Sequence, residues 1–313
     1  MTELIVTARN VRGGAFGAEP GPTRFLRVPG NRKPKPDHAI GRKVWVDAVM
    51  AAGHRGQDAH TGEDCGDIAV LVHGYNTSPG AAAQRHRKFR KAMHESGFEG
   101  AVVSFDWPSD DRAINYLEDR RDAKLTALRL VDDCISLLAA TQFRGCRYNV
   151  HVIAHSMGCY VVREAFDDAD DRPAIAASNW TVSQLCLVGA DISSSSMSAN
   201  DARTRSLYRH CTRLTNYQNP YDRALKLSDV KRAGVAPRVG RRGLPEDHAD
   251  KAVNVNCGRH FRKHYRDSDD NGHSWYFADR VFIADLAATL SGDTDRRVVA
   301  RRRIDERGEL HLA

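Results

Sequence analysis

At residues 154–158 the chain reads Ala154-His155-Ser156-Met157-Gly158, where an apolar, β-branched run ends and a helical pattern begins. A serine placed there has its hydroxyl pushed out at the carboxyl end of a strand. The turn is tight enough to strain the serine backbone, so the residues two before and two after it must be small. The helix that follows points free N–H groups at the same spot. Two strands earlier, His73-Gly74-Tyr75 follows another apolar run. Its Tyr75 N–H, together with the Met157 N–H, would form a hole for a tetrahedral oxyanion, with Asn76 as a supporting donor. His73 reads as a residue that fixes this loop through its backbone.

A serine hydroxyl needs a base, and the base needs an acid. His273, in Asp-Asn-Gly-His at 270–273, follows the last strand. Asp222, in Asn-Pro-Tyr-Asp at 219–222, follows the strand before it. The order serine, acid, histidine suits Ser156 as nucleophile, His273 as base and Asp222 as the acid that sets its tautomer. Asp191 ends the strand after the serine's and is the alternative acid. Asp106, at the end of its own strand, reads as structural.

These side chains need a frame to bring them together. Apolar runs at 67–74, 100–110, 147–155, 182–191, 211–219 and 252–258 read as strands. Helical patterns alternate with them, the first opening at Ser78-Pro79 and the last spanning 274–292. Short links between alternating strands and helices predict a mainly parallel, doubly wound α/β sheet with helices on both faces. About twenty residues separate Asp191 from the strand at 211, enough for one helix but not for a large cap domain. The expected organisation is three segments. Residues 1–64 form an edge strand (Glu3–Ala8), a basic Pro/Gly loop and a helix over 42–53. Residues 65–292 form the catalytic domain, and 293–313 a charged, solvated tail. The basic stretches 24–41 and 231–249 are candidates to rim the site.

The chain has 313 residues, 41% of them hydrophobic, and a net charge of +7. That supports a sizeable core. The basic residues are scattered, and no aromatics interleave with them in the tail, so nucleic acid is not an expected partner. Seven irregularly spaced cysteines without a CxxC fit reduced thiols in the cytoplasm. There is no run long enough for a membrane span and no signal peptide is expected.

At the quoted positions the chain resembles a bacterial α/β-hydrolase family of unknown function. The likeness lies in His73-Gly74-Tyr75-Asn76, Trp107-Pro108-Ser109, the elbow 154–158, the Asn219–Leu225 stretch and His273-Ser274-Trp275-Tyr276-Phe277. It covers roughly 65–292 and implies an α/β-hydrolase fold with Ser156, Asp222 and His273 as a triad, but no substrate.

The expectation is therefore a serine hydrolase that cleaves a small-molecule carboxylic ester through an acyl-enzyme on Ser156. Amidase and acyltransferase chemistry use the same residues, and a non-catalytic scaffold on the same fold is the reading from another class. Asp267, Asp269, Asn271 and Gly272 imitate the start of a calcium loop, but Ala278 stands where its glutamate belongs. His260 and His264 lie four apart without an acidic partner pattern and read as surface histidines. No nucleotide-binding glycine loop follows a strand, so neither a cofactor nor a metal is expected.

Overall fold

The computed structural model describes residues 2–109, 116–140, 146–177, 180–230, 237–267, 271–292, 302–306 and 308–313. The strands are β1 (Thr2–Arg12), β2 (Ala15–Pro29), β3 (Ala39–Ile40), β4 (His54–Gln57), β5 (Asp64–Val72), β6 (Ala101–Asp106), β7 (Cys146–His155), β8 (Val182–Val188), β9 (Cys211–Gln218), β10 (Ala252–Asn256), β11 (Arg302–Ile304) and β12 (Leu310–Leu312). The helices are α1 (Arg42–Gly53), α2 (Pro79–Glu95), α3 (Tyr116–Leu130), α4 (Ser136–Ala139), α5 (Met157–Asp170), α6 (Pro173–Ala176), α7 (Ala202–Arg209), α8 (Arg223–Val230), α9 (Val239–Arg242), α10 (Gly258–His264) and α11 (Arg280–Ser291). A π turn, Val131–Ile135, joins α3 to α4.

The strands lie in one sheet in the order β11-β12-β10-β9-β8-β7-β5-β6-β1-β2-β3, with β4 paired to β5. From β10 across to β1 every neighbouring pair is parallel. Alternation along each strand splits the core in two. Ile68, Val70 and Val72 of β5 join Val150 and Val152 of β7 in one apolar layer, with α1, α3 and α5. Ala69 and Leu71 face the other layer, with Phe89 and Met93 of α2 and Phe282 and Leu286 of α11. Helices therefore cover both faces, as the alternating pattern predicts. Between β8 and β9 lie only a 3₁₀ turn (Ser194–Met197) and α7, so no cap domain is inserted there.

From β5 the chain steps to β6 on one side and then crosses to β7 on the other. In an open α/β sheet such a reversal leaves a crevice at the carboxyl ends of the two strands. The loop at Gly74 and the serine elbow flank this crevice.

Three expectations are corrected at the two ends of the sheet. Glu3–Ala8 is not an edge, because β1 lies between β6 and β2. Gly13 and Gly14, both at positive φ, make a two-residue turn between Arg12 and Ala15, the geometry of a tight hairpin. Part of the stretch read as loop, Phe25–Pro29, is accordingly strand. The prolines of β2 fit because the pairing with β1 shifts register beside Pro20 and because β2 lies near the sheet's margin. In the tail, β12 pairs in parallel with β10, and Leu310 and Leu312 are buried. That end of the chain is part of the core layer and not a solvated arm. Among the described residues no helix is long and apolar enough to cross a membrane.

Candidate active site

β7 ends at His155, and α5 begins at Met157. Ser156, between them, has φ 56° and ψ −124°, a conformation that only a tightly constrained site imposes on a non-glycine residue. Its N–H donates to the Val188 carbonyl at 3.0 Å, and its carbonyl accepts from Asp191 N at 3.1 Å, so the end of β8 and the turn after it hold the strained serine from both sides. The need for small neighbours has a measurable form. A Cβ on Gly158 would lie 2.5 Å from the His73 carbonyl oxygen and 2.6 Å from that of Val72. A Cβ on Gly74 would lie 2.9 Å from the Ser156 Cβ. Both glycines let the end of β5 press against the elbow, bringing Tyr75 and Met157, the first residue of α5, to the same crevice.

The predicted acid, base and nucleophile meet. Ser156 Oγ is 2.7 Å from His273 Nε2, and His273 Nδ1 is 2.6 Å from Asp222 Oδ2. Asp222 is fully buried, and its Oδ1 accepts the Leu225 N–H at 2.9 Å, which fixes the carboxylate's orientation. The loop of the acid and the loop of the histidine are tied to each other. Asn219 Nδ2 donates to the Gly272 carbonyl at 2.9 Å, and Arg223 N donates to that of Asn271 at 2.8 Å. Gly272 has φ 81°, the left-handed conformation that turns the chain into His273. The calcium-like motif is thus used, at its described end, as a turn; its residues 268–270 lie outside the described set.

The alternative acid is engaged elsewhere. Asp191 pairs with the buried Arg238 at 3.1 Å. That pair anchors the segment whose Gly240 carbonyl accepts Asn219 N at 2.8 Å, so Asp191 stands behind the Asp222 loop.

The oxyanion-loop candidate is held by residues the sequence hinted at only in part. His73 Nδ1 meets the Gly74 carbonyl at 2.8 Å, the backbone role expected of it. Its Nε2 meets Asp106 Oδ1 at 3.1 Å, and Trp107 Nε1 donates to its carbonyl at 2.7 Å. Asp106 bonds side chains, among them Arg9 at 2.9 Å and Thr7 at 2.8 Å. Burial alone would raise the Asp106 pKa, but the Arg9 charge and the His73 contact outweigh it and hold it at about 2. Asn76, expected as a support donor, is instead exposed at φ 54°. The support comes from Thr77, whose hydroxyl lies 3.1 Å from the Gly74 carbonyl and 3.2 Å from that of Tyr75. No sequence signal marks Thr77 or Arg9.

His155, inside the elbow motif, carries no sequence signal for the role of its side chain. Its Nε2 meets the His273 carbonyl at 2.9 Å, and the two rings lie 4.8 Å apart. Burial, reinforced by the positive charge of His273, pushes its pKa well below the usual value, so the ring stays neutral and acts as a packing partner for the base.

A second Ser–His–acid chain shows what access contributes. Ser104 Oγ is 2.6 Å from His86 Nδ1, and His86 Nε2 is 2.8 Å from Glu3 Oε2. All three are buried. No substrate reaches them, whereas the His273 side chain keeps 17% of its surface exposed. For a metal, the described residues offer Asp305, Glu309 and His311. Glu309 Oε1 already accepts from Gln218 and Asn256, and Asp305 Oδ1 accepts Glu309 N, so this cluster staples the C-terminal hairpin to β9 and β10. His260, expected at the surface, is buried and bonds Asp279 at 2.8 Å; His264 is exposed.

Residues 56–255 match the family described as alpha/beta hydrolase of unknown function, DUF900. The chain belongs to that family. Among curated proteins nothing matches this DUF900 member. Among solved structures it is similar to a cutinase-like protein from Cryptococcus sp., at 12% identity over 76% of this chain and 97% of that one, with a TM-score of 0.38. It is also similar to esterase B from Lactobacillus rhamnosis, at 9% identity over 76% and 79% of the two chains, TM-score 0.38. A third is carboxyl esterase 2 from Tuber melanosporum, at 12% identity over 94% and 86%, TM-score 0.37.

Proposed function

We propose that this α/β-hydrolase cleaves small carboxylic esters through an acyl-enzyme on Ser156. The observation that carries the reading is the unbroken contact chain from Ser156 Oγ through His273 to the buried Asp222. His273 Nε2 takes the hydroxyl proton as Ser156 Oγ bonds to the carbonyl carbon. Asp222 holds the Nδ1–H tautomer and stabilises the imidazolium. The oxyanion is received by the Tyr75 and Met157 N–H groups. As the tetrahedral species collapses, the ester C–O bond breaks and His273 gives its proton to the departing alkoxide. Water, deprotonated by the same histidine, then attacks the acyl-Ser156 carbonyl. A second proton transfer restores the serine and releases a carboxylic acid. No cofactor or metal takes part in these steps, and amide, thioester and acyl-transfer substrates would use the same groups. Free cysteines, five of the six described ones buried, suit a cytoplasmic setting.

The test is a panel of p-nitrophenyl esters of rising chain length, run beside labelling by a fluorophosphonate probe. Turnover and labelling are expected in the natural chain, and neither in Ser156→Ala. A natural chain that does neither overturns the reading.

A further inference from the structure

Beside the elbow, a narrow cavity of about 20 Å³ is lined by Leu71, His73, Gly74, Arg85, Phe89, His155 and Phe277. That is room for about one small group. Two of the cavity's lining residues belong to the elbow contact: Gly74 packs with its Cβ position 2.9 Å from Ser156 Cβ and 3.0 Å from His155 Nδ1. Leu71, Phe89 and Phe277 supply the cavity's apolar side chains. Arg85 and Phe89 are four apart on α2 and so share a helix face.

Arg85 differs from the other arginines at this edge of the sheet. Arg9 is paired with Asp106 and Arg238 with Asp191. Among the described residues Arg85 has one polar contact, Nη1 to Thr77 Oγ1 at 2.8 Å, and no carboxylate within ion-pair distance. A guanidinium carries five N–H donors in a fork that matches a carboxylate. Four of those donors are unused by the described residues, and the side chain, exposed over part of its length, lines the cavity where burial lowers its pKa. Thr77, which it touches, braces the carbonyls of Gly74 and Tyr75. The arginine is thereby fixed relative to the loop that would receive the oxyanion.

Resting on the ester-hydrolase reading, we propose that Arg85 selects substrates bearing a carboxylate on the acyl side, so that the substrate class is short dicarboxylate monoesters. The cavity takes the single methylene next to the scissile carbonyl, the rest of the acyl chain follows the α2 face that carries Phe89 and Arg85, and the guanidinium pairs with the distal carboxylate.

The experiment compares mono-p-nitrophenyl adipate with its neutral ω-carboxamide analogue of equal length, after subtraction of spontaneous hydrolysis. At low ionic strength kcat/KM for the carboxylate ester should exceed that for the amide analogue by about tenfold, as a charge-assisted pair provides. The ratio should shrink as salt is added. Arg85→Gln should bring the ratio near one, Arg85→Lys should keep part of it, and Lys91→Gln, an exposed cation further along α2, should leave it as in the natural chain. A ratio near one in the natural chain, or an unchanged ratio in Arg85→Gln, overturns the proposal. Fluorophosphonate labelling of Ser156 separates this failure from failure of the hydrolase reading. If Ser156 is not labelled and neither ester turns over, binding of adipate itself is measured by calorimetry. Binding lost in Arg85→Gln keeps the anion site without the chemistry, and no binding to the natural chain removes it.

Discussion

Asp222 and Asp191 are two buried carboxylates behind one serine, and their partners separate them. Asp222 faces His273 Nδ1 at 2.6 Å, whereas Asp191 faces Arg238. The sequence leaves both open because each ends or follows a strand on the correct side of the elbow, and the partner of a carboxylate is not legible from strand position. Substitution by asparagine should reverse their effects. Asp222→Asn should keep the fold and lower kcat by about 10³- to 10⁴-fold, since the histidine loses the acceptor that fixes its tautomer. Asp191→Asn removes the carboxylate paired with the buried Arg238, which should lower stability by up to about 3–5 kcal/mol. Its folded fraction should turn over ester at close to the natural rate. Thermal melts and ester kinetics on both variants check this. A natural melting temperature with abolished turnover in Asp191→Asn would assign the acid the other way.

At the scale of elements, the site is a junction of β5, β7 and their following turns, with little freedom in how they meet. The elbow was legible because its steric rule is local: a strained serine demands small neighbours, and five residues suffice to show it. The triad order was legible because strand ends succeed one another in sequence. Arg9 and His155 were not, because what they bond lies far away in the chain, and Thr77 was not, because it stands just past the His73–Asn76 motif whose carbonyls it braces. The Gly13-Gly14 hairpin did carry a signal, but the prolines and basic residues after it suggested loop. Gly158 tests how tight the junction is. In Gly158→Ala the new Cβ meets the backbone carbonyls of His73 and Val72, at the end of β5, at 2.5 and 2.6 Å, and no side chain can move aside. The strand end and helix must separate, at about 1–3 kcal/mol, the usual range for overpacking. Because that separation widens the gap between Tyr75 and Met157, kcat should fall further than the melting temperature implies. An alanine variant with natural melting and natural kcat would mean that the junction is looser than these distances.

For the molecule as a whole, buried titratable groups stitch the sheet together, and they set how it responds to acid. Asp67 lies near the amino end of β5 and bonds His151 and Asn149 of β7 and Arg55 of β4. Burial would raise its pKa, but these bonds and the His151 charge hold it at about 2. Asp106, also at about 2, ties β6 to β1 and to the loop after β5. Both carboxylates have folded pKa values below the ordinary one. Their stabilisation is therefore complete above about pH 4 and is lost as pH falls toward about 2. His155 and His86 are lowered first of all by burial, so the unfolded chain takes up their protons at a higher pH than the folded one does. Their contribution is complete above about pH 6.5 and declines below it. Stability should consequently fall in two stages, the first beginning near pH 6.5 and a steeper one near pH 4. Each proton taken up only on unfolding costs about 1.4 kcal/mol per pH unit. Urea midpoints at pH 8, 5 and 3 should decrease in that order, and Asp67→Asn should flatten the step between pH 5 and 3 while leaving the step between 8 and 5. Equal midpoints at pH 8 and 5 would mean that the two histidines are not held neutral by the fold. An unaltered lower step in Asp67→Asn would mean that the acid response originates away from the β4–β5–β7 contact.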